Sequence, residues 1–450
     1  MTEETKKEYF ELLGFESVGA DPAKLKDCAD CAMWWKRWLQ AAGFEVELAM
    51  PPIKDGKAAP PIVLAERKGT EGTSRMLVYG HYDVQPAKVE DGWHTPPFEP
   101  VVKNGRVYCR GANDDKGQSF AFLCGVKAAL ENMPEGNAPT VKVVLEGQEE
   151  SGSAALMAMA PELRKRLAAD AMFVCDTSAA AGLQPAIVAG LRGVSHFTLR
   201  LKGPNRDLHS GEYGGIAPNP AQAMAELVAS LHTPDGSIAV EGFLDGIEKP
   251  TEEELRLANE GAADEKAYEA DIGCKPCGGE KGKPIVERNS FEPTIEVNGI
   301  HSGYGGDGSK TIIPAEAIAK ISMRLVAGQS PAKVFADVKR HLEAHVPDGI
   351  SLTVEGAAEG AGALKLSVSS PLFRLAESLL REMDPRGAVY QWDGASIPVI
   401  SVLKDVSGAT PLIVGWGQAE DKIHSPDESY SFAQFEKAEE WGRLVTENMI

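Results

Sequence analysis

The chain has 450 residues, 43% of them hydrophobic and 25% charged, which suits two or three packed soluble domains. A formal net charge of −20 argues against non-specific binding to nucleic acid or to an anionic membrane surface. Seven cysteines, an odd number scattered along the chain, fit a reducing cytoplasm better than a disulfide framework. The first residues, "MTEETKKEYF", lack the apolar core of a signal peptide, and no uninterrupted apolar stretch is long enough to span a bilayer.

In chain order, residues 22–42 read as an amphipathic helix, "PAKLKDCADCAMWWKRWLQAA", with Cys28 and Cys31 expected as core or semi-exposed thiols. From about Pro60, strands and helices alternate. "RMLVYG", "TVKVVLEG" and "AMFVCD" are short apolar or β-branched runs; "KGQSFAFLCGVKAAL" and "SAALMAMAPELRKRL" have helical spacing. This predicts an α/β domain whose mixed sheet is covered by helices on both faces, in three layers. Near Gly193 the pattern changes. "VSHFTLRLKG" alternates as a half-exposed strand does; a helix (219–232), strands (294–300 and 317–326), a helix (331–345) and a strand (350–356) follow. That β-α-β-β-α-β order is ferredoxin-like. A long charged segment, 233–292, interrupts it. There Cys274 and Cys277, in "GCKPCGGEKG", are expected in a solvent-facing loop, with a zinc knuckle as the alternative. The α/β character returns around 365, with a helix at 370–383 and the apolar runs "IPVISVL" and "TPLIVGW". The expectation is one α/β domain, 1–192 and 365–450, interrupted by an inserted α+β domain, 193–364.

Acidic residues and histidines fall just past the strands. His81 and Asp83 follow 76–80 in "VYGHYDVQP", Asp114 and Asp115 follow "GRVYCRGAN", Glu149 and Glu150 follow "VKVVLEGQ", and Asp176 follows "AMFVC". His424 comes in "DKIHSPDE". Ligand sites in open α/β sheets lie outside the carboxyl ends of the strands. Carboxylates gathered there repel one another unless cations hold them. The donor arithmetic suits two metal ions. Asp114 can bridge them through its two oxygens, His81 and Asp176 complete one site, and Glu150 and His424 the other. Glu149 remains unspent, as a hydrolase's general base would. Asp83, on the same face as His81, can accept the second imidazole N–H.

The ordered set "GHYDVQP", "RGANDDKG", "GQEESGS", "CDTS", "DLHSGEYGG", "ISMRLV" and "IHSPDE" resembles the dinuclear zinc peptidases of the carnosinase and cytosolic non-specific dipeptidase type, through nearly the whole chain. The resemblance implies the roles just given for His81, Asp114, Glu149, Glu150, Asp176 and His424. It also implies an inserted lid that dimerises, and His209 as a donor to the oxyanion in the partner's active site. Arg324 would hold the substrate's carboxylate, while Ser396 and Thr311, the latter ending the glycine-rich stretch 301–311, would contact substrate. That stretch is no phosphate loop, since Gly308-Ser309-Lys310 has the wrong order. Asp115, where relatives often carry a small residue, is a departure. The expected function is a cytoplasmic, homodimeric metallodipeptidase acting on small peptides. Water on two divalent ions, zinc or else manganese, would attack the peptide carbonyl with Glu149 as base. An N-acyl amino-acid deacylase or a carboxypeptidase shares this chemistry, and a non-catalytic metal-binding scaffold is the reading from another class.

Overall fold

The structure, a computed structural model, describes residues 1–52, 58–134, 136–356 and 360–449. It divides into two compact units: 1–189, 366–391 and 399–450 in the first, 190–365 and 392–398 in the second. The short segment 392–398, which carries Ser396, therefore groups with the second unit rather than with its sequence neighbours.

The first unit is built on a mixed sheet. Its strands run, side by side, Glu45–Ala49, Ile62–Arg67, Thr140–Glu146, Arg75–His81, Ala171–Val174, Thr410–Ile413 and Ala186–Leu191. Arg75–His81 pairs in parallel with both Thr140–Glu146 and Ala171–Val174, and Ala171–Val174 with Thr410–Ile413. Parallel pairing brings the carboxyl ends of these strands to one edge. The strands Arg75–His81, Thr140–Glu146 and Ala186–Leu191 are buried almost without interruption. Unbroken burial, rather than alternation, is what a sheet covered on both faces requires.

Two helices show how the cover is made. In Leu25–Ala41, Cys28, Cys31, Trp35, Trp38 and Leu39 are buried, a spacing that lines one helical face. Trp34, Trp35 and Trp38 gather edge-on around Phe120, with ring centroids 5.3–6.1 Å away. Phe120 belongs to the helix Lys116–Asn132, which begins directly after Asp114 and Asp115 and is buried along most of its length. Burial pushes the thiols of Cys28 and Cys31 up to about 12 and about 11, so both are unreactive core groups. All seven cysteines are free, and only Cys274 and Cys277 are exposed. The run "IPVISVL" lies in a helix, Pro398–Ser407, which a short apolar run by itself could not distinguish from a strand. Among the described residues no helix is long and apolar enough to cross a membrane.

The second unit carries a four-stranded antiparallel sheet in the order Thr294–Ser302, Glu316–Leu325, Gly193–Lys202, Ser351–Gly356. With the helices Pro220–Ala229 and Pro331–His345 this is the β-α-β-β-α-β connection, its first and third strands adjacent at the centre. One sheet face buries Phe197, Leu199, Leu201, Ile321 and Met323 against Met224, Leu227, Val334, Val338 and Leu342. Each such side chain contributes about 2 kcal/mol when removed from water. The charged segment 233–292 holds three short helices, Glu252–Gly261, Glu265–Ile272 and Ile285–Ser290.

Candidate active site

His81 is the last residue of the strand Arg75–His81 and is buried. The glycine before it is obligatory: a Cβ on Gly80 would lie 1.9 Å from the Ser119 hydroxyl and 2.8 Å from Asp115 Oδ2. The ring's Nδ1 lies 3.1 Å from the main-chain carbonyl of Asp83 and 3.4 Å from Asp83 Oδ1. The nearer acceptor is therefore the carbonyl of Asp83, not the carboxylate expected from the sequence. That carboxylate also serves the next turn. Its Oδ1 accepts the amide of Glu149 at 3.1 Å and its Oδ2 that of Glu150 at 3.2 Å. Asp83 thus ties the tight turn Glu149–Ser151 to the loop that follows His81.

Asp114 and Asp115 reach the same place by another route. They follow the strand Arg106–Tyr108, which belongs to a separate small sheet with Val101–Lys103 and Ser429–Ser431. The expectation that these residues all follow strands of one open sheet is corrected here, since Asp114 and Asp115 come from a loop outside the main sheet. Asp114 Oδ1 lies 3.1 Å from His81 Nε2, and Asp114 Oδ2 lies 2.9 Å from His424 Nε2. The two oxygens of one carboxylate therefore face two different imidazoles. Asp176 Oδ2 lies 3.6 Å from His81 Nε2, and Glu150 Oε2 3.1 Å from His424 Nε2. Gln85 also donates to Glu150 Oε2, at 2.8 Å. Donor atoms of Asp114, Glu150 and His424 lie within 4.8 Å of one another, and so do those of His81, Asp115 and Asp176.

Asp115 is the departure noted in the sequence. Its Oδ2 accepts the main-chain amide of His81 at 3.1 Å and the hydroxyl of Ser119 at 2.5 Å, while Oδ1 is buried without a partner. Burial, and next the charge of Asp176, push this carboxyl well above the usual range. Its hydrogen bonds fix the loop through Oδ2, while Oδ1 stays open beside His81 and Asp176.

The electrostatics test whether cations fit. Among the described residues no Lys or Arg forms an ion pair with Asp83, Asp114, Asp115, Glu149, Glu150 or Asp176; only His81 and His424 face them. With Nδ1–H of His81 donating to the Asp83 carbonyl, a neutral ring presents a bare Nε2 to two carboxylate oxygens. That is acceptor against acceptor, and it persists only with a proton or a metal ion between them. Without a metal the protons take that place. Burial alone would lower the pKa of His81, but hydrogen bonds to Asp114, Asp176 and Asp83 outweigh it and hold it well above the usual value. His424, bonded to Asp114 and Glu150, is raised to about 10. The imidazole and carboxylate set suits zinc or manganese.

The side chain of Glu149 accepts no hydrogen bond among the described residues. Burial, with Asp176, Asp114 and Glu150 adding to it against His81, raises its pKa to about 8. A carboxylate held close to neutrality beside a candidate metal centre has the properties of a general base.

The remaining expected residues lie in the second unit. Arg324 is half-buried, and its Nη1 donates to the Ser396 hydroxyl at 2.8 Å; no carboxylate pairs with it among the described residues. Burial lowers its pKa. Ser396 in turn donates to the carbonyl of Arg192. His209 and Thr311 are exposed neighbours, joined where Leu208–His209 pairs with Ile312–Ile313 and the Ser210 amide donates to the Thr311 carbonyl at 3.0 Å. The amide of Gly211 donates to His209 Nδ1 at 3.0 Å, so a neutral ring carries its proton on Nε2, facing outward as a donor. Sequence reasoning missed Arg192, Asp421 and Glu428. Glu428 stood in view, four residues after His424, but nothing local marks it as more than a loop acid.

Residues 77–447 match the model of the Peptidase family M20/M25/M40. The chain is 29% identical over 401 residues to Beta-Ala-His dipeptidase of Rattus norvegicus, covering 87% of this chain and 81% of the relative. It is 30% identical over 391 residues to a Cys-Gly metallodipeptidase of Schizosaccharomyces pombe, covering 84% and 80%. Among solved structures, human carnosine dipeptidase 1 superposes with a TM-score of 0.80 at 26% identity, over 99% of this chain and 96% of that one. A metallo-carboxypeptidase from Sulfolobus solfataricus superposes with a TM-score of 0.87 at 27% identity, over 100% and 99%. The chain belongs to the Peptidase family M20/M25/M40 and is a hydrolase of peptide bonds.

Proposed function

We propose that the chain is a metallodipeptidase, cleaving the peptide bond of dipeptides with two divalent ions bound by His81, Asp114, Asp176, Glu150 and His424. The observation that carries the reading is Asp114, whose two oxygens lie 3.1 and 2.9 Å from different imidazoles, with the unengaged Glu149 nearby. His81, Asp114 and Asp176 would hold one ion, and Asp114, Glu150 and His424 the other. Zinc is the first choice and manganese shares the donor set. When bound, the ions polarise the scissile carbonyl and lower the pKa of water.

Glu149, in its ionised form, takes the proton of the attacking water and returns it to the leaving amine. Asp83 holds the Glu149 turn and, through its carbonyl, the tautomer of His81. His209 offers an outward Nε2–H to the developing oxyanion. The Arg324 guanidinium, steadied by Ser396, would receive the substrate's terminal carboxylate, and Thr311 would contact substrate. A homodimer would let His209 serve the partner's site. The edge strand Thr294–Ser302, with Val297 and Ile300 exposed, is a surface for that association. The cytoplasm suits seven free thiols.

The experiment is metal analysis together with hydrolysis of dipeptides, N-acetylated dipeptides and longer peptides. A dipeptidase requires the free amine and rejects length. Equal turnover of N-acetylated substrates would identify a deacylase, and trimming of longer peptides from the C-terminus a carboxypeptidase.

A further inference from the structure

The two proposed histidine ligands are held differently. His81 sits at the end of a buried strand and has the Asp83 carbonyl on its second nitrogen. His424 is half-exposed, with left-handed backbone (φ +60°), and its ring meets only Asp114 and Glu150 among the described residues. Among the described residues nothing orients its Nδ1. A metal-binding imidazole ordinarily has such a partner, so its aim must come from the loop that carries it.

Both ends of that loop carry a buried carboxylate, and both carboxylates grip the residues around Asn113. Glu428 is fully buried. Its Oε1 accepts the amides of Asn113 at 3.0 Å and Asp114 at 3.1 Å, and its Oε2 accepts the Gly111 amide at 3.1 Å and Arg110 Nη1 at 2.7 Å. Its carbonyl accepts the Cys109 amide at 3.0 Å. Asp421, also fully buried, accepts Asn113 Nδ2 at 2.7 Å, Gln434 Nε2 at 2.6 Å and the Gln418 amide at 2.7 Å on Oδ2, with Arg106 on Oδ1. Each buried charge thus has its own guanidinium, as a buried charge requires.

We infer that Asp421 and Glu428 are positioning residues that clamp the His424 loop to the Asp114 loop and so set the spacing of the second metal site. The inference rests on the proposed reading of Asp114 and His424 as ligands. The clamp converges on Asn113, held by its amide from Glu428 and by its side chain from Asp421, one residue before the proposed bridge. A loop tied at one end would leave His424 free to swing. Tied at both, its imidazole stays within 2.9–3.1 Å of its two carboxylates without a hydrogen bond of its own.

The test compares Glu428→Gln and Asn113→Ala with the unsubstituted protein, using Zn²⁺ and Mn²⁺ in competition with a chelator. The expected result is a roughly 10–100-fold loss of affinity for one ion, with the other unchanged. The rise in melting temperature on adding metal should shrink in step. Combining either change with His424→Ala should add no further loss of affinity, because the clamp acts through that ring. A folded variant that binds both ions with wild-type affinity, and merely melts lower with and without metal, would overturn the clamp. Asn113→Ala leaves both buried ion pairs intact and decides the matter if Glu428→Gln does not fold. Uptake of fewer than two ions by the unsubstituted protein would instead refute the dinuclear reading beneath it.

Discussion

The amide of Glu149 donates to the carboxylate of Asp83 at 3.1 Å, so the base candidate is held by a residue two positions from His81. The contact fixes the backbone of Glu149 and leaves its side chain unengaged. Glu149→Gln should therefore keep the fold and two bound ions while turnover falls by roughly 10²–10⁴, the scale of general-base loss. Rate measurements on samples with verified metal content check this. Near-normal turnover with both ions in place would remove Glu149 from the mechanism.

Metal uptake should release protons. In the metal-free protein His424 is raised to about 10 and His81 lies well above the ordinary histidine value, so both rings are protonated at pH 7. A ligand must be deprotonated, so each ion displaces a proton, and affinity should rise as pH rises toward those values. The half-exposed His424 is partly screened by water, which moderates its share. Calorimetry at pH 7 in buffers of different ionisation enthalpy should show about one proton released per histidine ligand. Uptake with no buffer dependence would contradict the proposed imidazole ligands.

Arg324 donates to Ser396 and has no carboxylate partner among the described residues, which leaves the rest of its fork for a ligand. Arg324→Ala should raise KM for dipeptides at least tenfold and change C-terminally amidated dipeptides little further, since the charge-assisted pair is worth about 1.5–3 kcal/mol. KM and kcat for each pair of substrates provide the check. Equal losses on acid and amide would mean that Arg324 acts through packing.

If each site borrows His209 from its partner, defects can complement. Chains carrying Glu149→Ala and chains carrying His209→Ala should each be inactive on their own. After random exchange half the dimers are mixed, and one of the two sites in each is intact, so about a quarter of wild-type activity should return. Verified exchange with no recovery would confine His209 to its own chain.

Much of this protein was legible in the residues alone. The family, the α/β class and peptidase activity follow from motifs local enough to survive in a string: an i, i+2 His-Asp pair at a strand end, adjacent glutamates and a late histidine. Such motifs are local because they occupy single turns, where spacing alone dictates which side chains share a face. What needed the tertiary structure was partnership at a distance. Asp114 arrives by way of a small separate sheet, and the Asp83 carboxylate accepts the Glu149 and Glu150 amides while its carbonyl is the nearer acceptor for His81. Glu428 reaches back across more than 300 residues to the Asn113 and Asp114 amides. Main-chain amides leave no trace in residue identity, because every residue but proline has one. A buried carboxylate that serves them is therefore indistinguishable in sequence from a solvated acid, and only the fold brings the two together.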